Sequence, residues 1–225
     1  MSFDLSKFYD VEQLKDCMFE VYNCQVKGKI YRLIYNMNKS VKIQIKTSVG
    51  MTQSKELHDV VQQGTIESGV ISSVNIGKGI DVTFKDSDGE VYYVDLKLNP
   101  MSFMDDIGKL SDNVEAAQDG NNRIEELIDS KCLALNLDKC NFLVMGSKKS
   151  RKKIMMKIEE SPLLLSNQPM KEVSSLRYLG DFLCATLEES VHQTVLHRVG
   201  IAKKSIFDRR SIIEDKRAEC LEASI

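Results

Sequence analysis

Met101-Ser102-Phe103-Met104-Asp105-Asp106-Ile107 is the stretch on which the reading of this chain turns. Two adjacent aspartates sit in an otherwise apolar run, just after residues 91–98, which have the composition of a strand. Neighbouring carboxylates in apolar surroundings repel each other and lose hydration, at a cost of roughly several kcal/mol per ion unless something pairs with them. A divalent cation removes that cost, and Mg²⁺ takes one or two carboxylates together with substrate phosphates. A surface turn accommodates an Asp-Asp pair equally well, so the flanking sequence has to separate the two readings.

Working outward, residues 82–84 and 91–98 flank Asp86-Ser87-Asp88-Gly89, and an Asp-Gly between strand-like runs predicts a hairpin. Gly64 opens a small-residue stretch, 65–75, read as a helix packed closely on a neighbour. Residues 48–62 read as a polar connection. Val41, Ile43 and Ile45 alternate with Lys42, Gln44 and Lys46, which predicts a strand over 41–47 with one face in water. Asp10 and Gln13 fit a capping box ahead of an amphipathic helix carrying Val11, Leu14, Cys17, Met18, Val21 and Tyr22. Gly28 is expected to stop that helix, with a second one over 29–38. A short strand over 2–5 carries Asp4.

Downstream, the pattern predicts a long helix over 113–136 and a buried strand over 142–145 ended by Gly146. A hairpin through Ser166-Asn167-Gln168, a strand over 176–183 and a more polar helix from Glu188 onward complete the pattern. There is no internal repeat and no low-complexity segment. Helices packed on an antiparallel sheet make the expected class α+β.

Composition narrows the function classes. The chain has 225 residues, 42% hydrophobic and 28% charged, and only three prolines and twelve glycines, as in an ordinary globular protein. No run approaches the ~18 apolar residues of a membrane span, so no membrane partner is expected. The start, MSFDLSKFYD, has acids where a signal peptide is apolar. Six cysteines (Cys17, Cys24, Cys132, Cys140, Cys184 and Cys220) form no C-x-x-C pair and fall within apolar patterns. They read as reduced thiols of an intracellular protein, nuclear or cytoplasmic, and support neither a zinc site nor a disulfide scaffold. His58, His192 and His197 lack ligand-like spacing. The net charge of -2 is low for a protein that holds a polyanion. Yet Lys148, Lys149, Arg151, Lys152, Lys153 and Lys157 come with no acid among them, either as a solvated loop or as a phosphate-contacting patch.

Phe103-Met104-Asp105-Asp106 resembles the aromatic-Met-Asp-Asp hairpin of reverse transcriptases. Four further stretches resemble that family's signatures, in the family's order. Phe3-Asp4-Leu5-Ser6-Lys7-Phe8-Tyr9-Asp10 looks like the first aspartate motif, with an aromatic five residues after the acid. Gln63-Gly64 resembles the Gln-Gly that opens the next motif. Leu135-Asn136-Leu137-Asp138-Lys139 is similar to the Leu-Asn-x-x-Lys after the long helix, and Tyr178-Leu179-Gly180 to the Tyr-Leu-Gly at the palm–thumb junction. The resemblance is to enzymes encoded by non-LTR retrotransposons. It implies a polymerase palm over residues 1–183, an antiparallel sheet backed by helices, and the start of a helical thumb over 184–225.

The resemblance also implies roles. Asp4 and Asp105 would hold two Mg²⁺ ions for nucleotidyl transfer from a dNTP to a primer 3′-hydroxyl, with Asp106 supporting that metal site. Tyr9 would lie under the sugar of the incoming nucleotide and disfavour a 2′-hydroxyl. Gln63 and Gly64 would sit near that nucleotide, and Lys139 would neutralise triphosphate charge. Tyr178, Leu179 and Gly180 would contact the primer, so RNA template, DNA primer and dNTP are the implied partners. The duller readings are a core aromatic for Tyr9, a solvated lysine for Lys139 and a packed strand aromatic for Tyr178. Ser68 is followed by Gly69 where the family often has Pro, and Gln62 stands where Arg or Gly is usual. Fingers before Asp4, a complete thumb and an endonuclease region are not recognised. The alternatives are therefore a polymerase domain that needs those parts for activity, or an inactive retrotransposon-derived palm remnant. A generic Mg²⁺-dependent phosphotransferase fits the acid pair but not the other four matches.

Overall fold

The computed structural model describes residues 1–222 apart from 7, 60, 63, 86–90, 94, 95 and 99. The chain opens with strand β1 (Ser2–Asp4), helices α1 (Phe8–Val11), α2 (Leu14–Asn23) and α3 (Gly28–Lys39), and four short strands, β2 (Ser40–Ile43), β3 (Lys46–Thr47), β4 (Gly50–Met51) and β5 (Lys55–His58). Helix α4 (Ile66–Thr83) leads into β6 (Val91–Tyr93), β7 (Leu96–Leu98), β8 (Met101–Phe103) and β9 (Asp106–Gly108), followed by α5 (Val114–Ser130). Then come β10 (Asn141–Phe142), α6 (Lys148–Glu160), β11 (Leu164–Leu165), β12 (Gln168–Pro169), β13 (Lys171–Glu172), β14 (Ser175–Tyr178), β15 (Asp181–Cys184) and α7 (Leu187–Glu222).

The class is α+β, as the sequence predicts. The central sheet has the order β13-β10-β1-β9-β8. All its pairings are antiparallel except β10 with β13. Alternation along β1 and β9 divides the sheet into two faces. Phe3 and Ile107 are cross-strand partners and both fully buried. They join Ile76, Ile80 and Phe84 of the α4 segment and Ile124, Leu127 and Ile128 of α5 in one core. Each such side chain contributes about 1.5–3 kcal/mol when buried. Asp4 and Asp106 alternate with these residues and so lie on the opposite face. Gly79 lets α5 approach α4, because a Cβ there would meet Leu127 at 2.5 Å.

Several local expectations are corrected. The capping box does not form: Asp10 lies inside α1, and Gln13 precedes α2 without a side-chain cap. Helix α2 ends before Gly28, at Cys24 and Gln25. Gln25 has φ 66 and Val26 N donates to Val21 O at 3.3 Å, a Schellman-type ending. Gly28, with φ 70, instead opens α3.

Residues 41–47 do not form a half-buried strand. β2 pairs with β5 and β3 with β4, so much of the supposed polar connection is the returning half of a solvent-exposed ribbon. Residues 82–84 are the end of α4 and not a strand, because Ile76, Ile80 and Phe84 continue one apolar row at four-residue steps. The hairpin there is β6 with β7, Val91 opposite Leu98. The Asp86–Gly89 turn lies outside the described residues. Residues 176–183 are two strands, β14 and β15, joined through Leu179 and Gly180, whose φ values of 51 and 88 make a tight turn. The basic stretch is a helix, α6, begun by Ser147, whose Oγ accepts from Ser150 N.

Candidate functional site

Strand register assembles the acids. Asp4 lies directly opposite Asp106, and β8 and β9 turn tightly through Met104 and Asp105, Phe103 pairing with Asp106. Met1 N donates to Lys109 O at 2.8 Å and Lys109 N to Met1 O at 3.0 Å, so that pair is hydrogen-bonded. Leu5 N donates to Asp105 O at 3.3 Å. Hydrogen-bonded and non-hydrogen-bonded pairs alternate along an antiparallel ladder, which makes Asp4–Asp106 a non-hydrogen-bonded pair, the kind with its side chains closest together.

The electrostatics agree with that crowding. Partial burial first, and then the negative charges of Asp105 and Asp4, push the Asp106 carboxyl above its ordinary pKa, while Lys139 opposes the shift. Lys139 Nζ lies 3.4 Å from Asp4 Oδ2. The backbone of the same loop holds Asp4 in place: Asn136 N donates to Asp4 O at 2.8 Å. The Leu-Asn-x-x-Lys stretch therefore packs against the first aspartate and supplies its cation.

The turn is docked on α4. Met104 has φ 56, its backbone N donates to Ser73 Oγ at 3.4 Å, and its side chain lies over Gly69, where a Cβ would come within 2.6 Å of Met104 Cε. Gly69, which stands where the resembled reverse transcriptases often have Pro, makes room for Met104 of the acid hairpin. Tyr9 packs between the two main cores with its ring edge-on to Phe8. Burial, and after it the charges of Asp105 and Glu12, raise the Tyr9 phenol pKa. Tyr178 lies over the sheet, its ring carbons 3.1 Å from where a Gly108 Cβ would be and its hydroxyl donating to Met101 O at 3.1 Å. Burial, followed by the charge of Asp106, raises its pKa.

Thus Asp4, Asp106 and Tyr178 share one face of the sheet, with Lys139 beside Asp4 and Asp105 in the turn at its end, while Tyr9 packs with the cores. Leu179 and Gly180 form the exposed turn beyond Tyr178. Gly64 occupies an exposed turn with φ 91 ahead of α4, and nothing lies near the place of its missing Cβ. Gln63 lies outside the described residues. Among the described residues no three His, Cys, Asp or Glu side chains are gathered as a ready metal cage. Asp4, Asp105 and Asp106 are themselves not gathered into such a group; Asp4 and Asp105 are hard oxygen donors on adjoining backbone, the donor type that Mg²⁺ prefers.

Sequence reading missed a buried polar network behind the site. The Glu12 carboxylate, 3% exposed, accepts from Ser72 Oγ and, at 3.1 Å, from Asn75 Nδ2. Lys131 Nζ donates to Asn75 Oδ1 at 2.6 Å. The Cys17 Sγ accepts from Asn75 Nδ2 at 3.6 Å, and burial, followed by the charge of Glu12, pushes the thiol pKa far up. The available signal was Ser68, Ser72 and Asn75 at helical spacing, a polar stripe on an otherwise apolar helix.

No family model matches the chain. No curated protein matches it either. Among solved structures it is similar to telomerase from Candida albicans in complex with a TWJ fragment of telomeric RNA, with a TM-score of 0.45 and 10% identity. That likeness covers 81% of this chain, which spans 28% of the length of the telomerase chain.

Proposed function

We propose that this chain is the palm of an RNA-directed DNA polymerase of the reverse transcriptase type, resembling those of non-LTR retrotransposons. Residues 1–183 form the palm and 184–225 begin the thumb. The observation that carries the reading is the register that sets Asp4 against Asp106 and next to Asp105, residues over a hundred positions apart, at the edge of one sheet face. A structural cap or a surface turn would not need that convergence.

Two Mg²⁺ ions bound at Asp4 and Asp105 would supply the Lewis acidity that activates a primer 3′-hydroxyl and neutralises the triphosphate. The chain's own residues position the reactants. Asp106 holds negative charge behind the two ligands. Lys139, whose side chain is largely exposed, exchanges Asp4 for a triphosphate or pyrophosphate oxygen. The ring of Tyr9 lies beneath the incoming sugar and excludes a 2′-hydroxyl. The Tyr178–Gly180 turn steadies the primer, and Gln63 and Gly64 flank the nucleotide. Catalysis of this kind is mostly alignment and charge neutralisation.

Metal binding is testable on the chain itself. Mn²⁺, followed by electron paramagnetic resonance, should bind the unmodified chain and bind at least tenfold more weakly after Asp4→Asn or Asp105→Asn. Equal binding by both variants would refute the metal site. Activity is read with this chain placed after a fingers segment and before a completed thumb. Extension of a DNA primer on an RNA template should require Mg²⁺, vanish in Asp105→Ala, and admit ribonucleotides more readily in Tyr9→Ala.

A further inference from the structure

The α6 helix is a one-sided concentration of positive charge in a chain of net charge -2. Lys148, Lys149, Arg151, Lys152, Lys153 and Lys157 lie along it with no acid before Glu159. Lys148, Lys149, Lys152, Lys153 and Lys157 are exposed, whereas Ile154, Met155 and Ile158 pack against Val114, Phe142 and Leu163. The helix therefore has no free apolar face to lay into a membrane.

This arrangement works against the fold. The first turn of α6 carries no acid, and four cations crowd the positive end of the helix dipole. Lys148 with Lys152, and Lys149 with Lys153, are like-charge pairs one turn apart, which also destabilise a helix. Among the described residues only Lys157 of the six is ion-paired, with Glu115 at 3.4 Å. Arg151 lines a cavity that Glu172 and Glu189 also line, so the uncompensated charge is that of the exposed lysine cluster. Such a cluster calls for an anion from outside the chain.

We propose that the exposed face of α6 is a docking surface for the phosphate backbone of a nucleic-acid duplex, separate from the acid site on the sheet and independent of its chemistry. Lysine suits this partner: it is a hydrated point charge that follows phosphates without reading bases. Protein–protein interfaces, by contrast, are depleted in lysine. From Lys149 to Lys157 the helix advances ~12 Å, a length over which a duplex presents roughly seven phosphate charges. The helix starts beside α7: Gly146 N, just before α6, donates to Ala185 O, just before α7, at 2.9 Å. A duplex along α6 would thus be held beside the junction that leads into the last helix.

Fluorescence anisotropy with a labelled RNA–DNA hybrid tests this on the whole chain. Lys149→Gln/Lys152→Gln/Lys153→Gln should weaken binding at least tenfold at low salt. It should also flatten the slope of log affinity against log salt by about 2.7, three contacts at ~0.9 each. The corresponding triple Lys→Arg variant should retain both. Lysine acetylation of the unmodified chain gives a readout that does not depend on any variant folding: bound duplex should protect Lys149, Lys152 and Lys153. Unchanged affinity in a folded Gln variant, unprotected lysines, or poly-glutamate binding as tightly as the hybrid would each overturn the proposal, the last pointing to an acidic protein.

Discussion

Replacing Asp106 by Asn tests whether the register crowds charge at the candidate site. Asp4 and Asp106 face each other as a non-hydrogen-bonded pair, so their Cβ atoms are ~5 Å apart. Two negative charges at that separation repel by about 0.8 kcal/mol in water and about 3 kcal/mol at an effective dielectric of 20. The site is partly open and Lys139 lies 3.4 Å from Asp4, so the low end applies. Asp106→Asn should therefore stabilise the metal-free fold by about 1 kcal/mol, a rise of about 2–4 °C in melting temperature for a chain of this size.

The sign of the pH dependence follows. The Asp106 pKa is raised in the folded state, so its charged form costs stability at neutral pH. That cost disappears as pH falls through the raised value, because the native state takes up the proton first. The gap between variant and wild type should be full at pH 7 and close on acidification. Added Mg²⁺ should narrow it from the other side, stabilising the wild type by about 1.4 kcal/mol at ten times its dissociation constant. Differential scanning calorimetry across pH and Mg²⁺ reads all three. A lower melting temperature for Asp106→Asn at pH 7 without metal would mean that the carboxylate is structural, and the charge argument would fail.

Two substitutions test the packing that positions the site. Gly120→Ala gains helix propensity, worth up to about 1 kcal/mol, but its Cβ would fall 2.3 Å from Lys109 Cε. A net loss of about 1–3 kcal/mol is expected in urea unfolding, with most of it recovered when Lys109→Ala is combined with it; an additive double mutant would show that the two do not touch. Glu12→Gln should lose about 1–3 kcal/mol, since Ser72 and Asn75 both converge on its carboxylate. Unchanged stability there would mean that the network is not formed in solution.

The placement of the acid motifs on a strand end and a hairpin was legible because each motif is local. Asp105 sits in the two-residue turn it forms with Met104, Asp106 opens β9, Asp4 ends a strand, and Lys139 closes a loop, so each motif is complete within a few residues. The misread elements depend on what packs against them. Alternation at Val41, Ile43 and Ile45 signals a buried face only when a second layer covers it; here the strands pair as a ribbon and Ile45 remains 64% exposed. Residues 82–84 have strand-like composition, but the row from Ile76 through Ile80 to Phe84 decides the conformation, and tertiary packing overrides propensity. Leu179 and Gly180 carry the turn that divides the supposed strand over 176–183, and the glycine was the available cue.

Helix α4 explains why the polar stripe that marks the network behind the site is hard to single out in the sequence. It presents three rows at once. Gly69, Ser73 and Gly77 face β8 and the acid turn, with Gly77 opposite Ser102. Ser72 and Asn75 face Glu12. Ile76 and Ile80 face the sheet core. No single period describes such a helix, because three of its rows are buried against three different partners while Val70, Lys78, Asp81 and Val82 face solvent. The small residues that blur its pattern are what allow those approaches. One rigid element therefore contacts both the turn bearing Asp105 and, through Glu12, the segment bearing Tyr9. A change at Gly69 would reach the acid turn through Met104, and one at Ser72 would reach the segment of Tyr9 through Glu12.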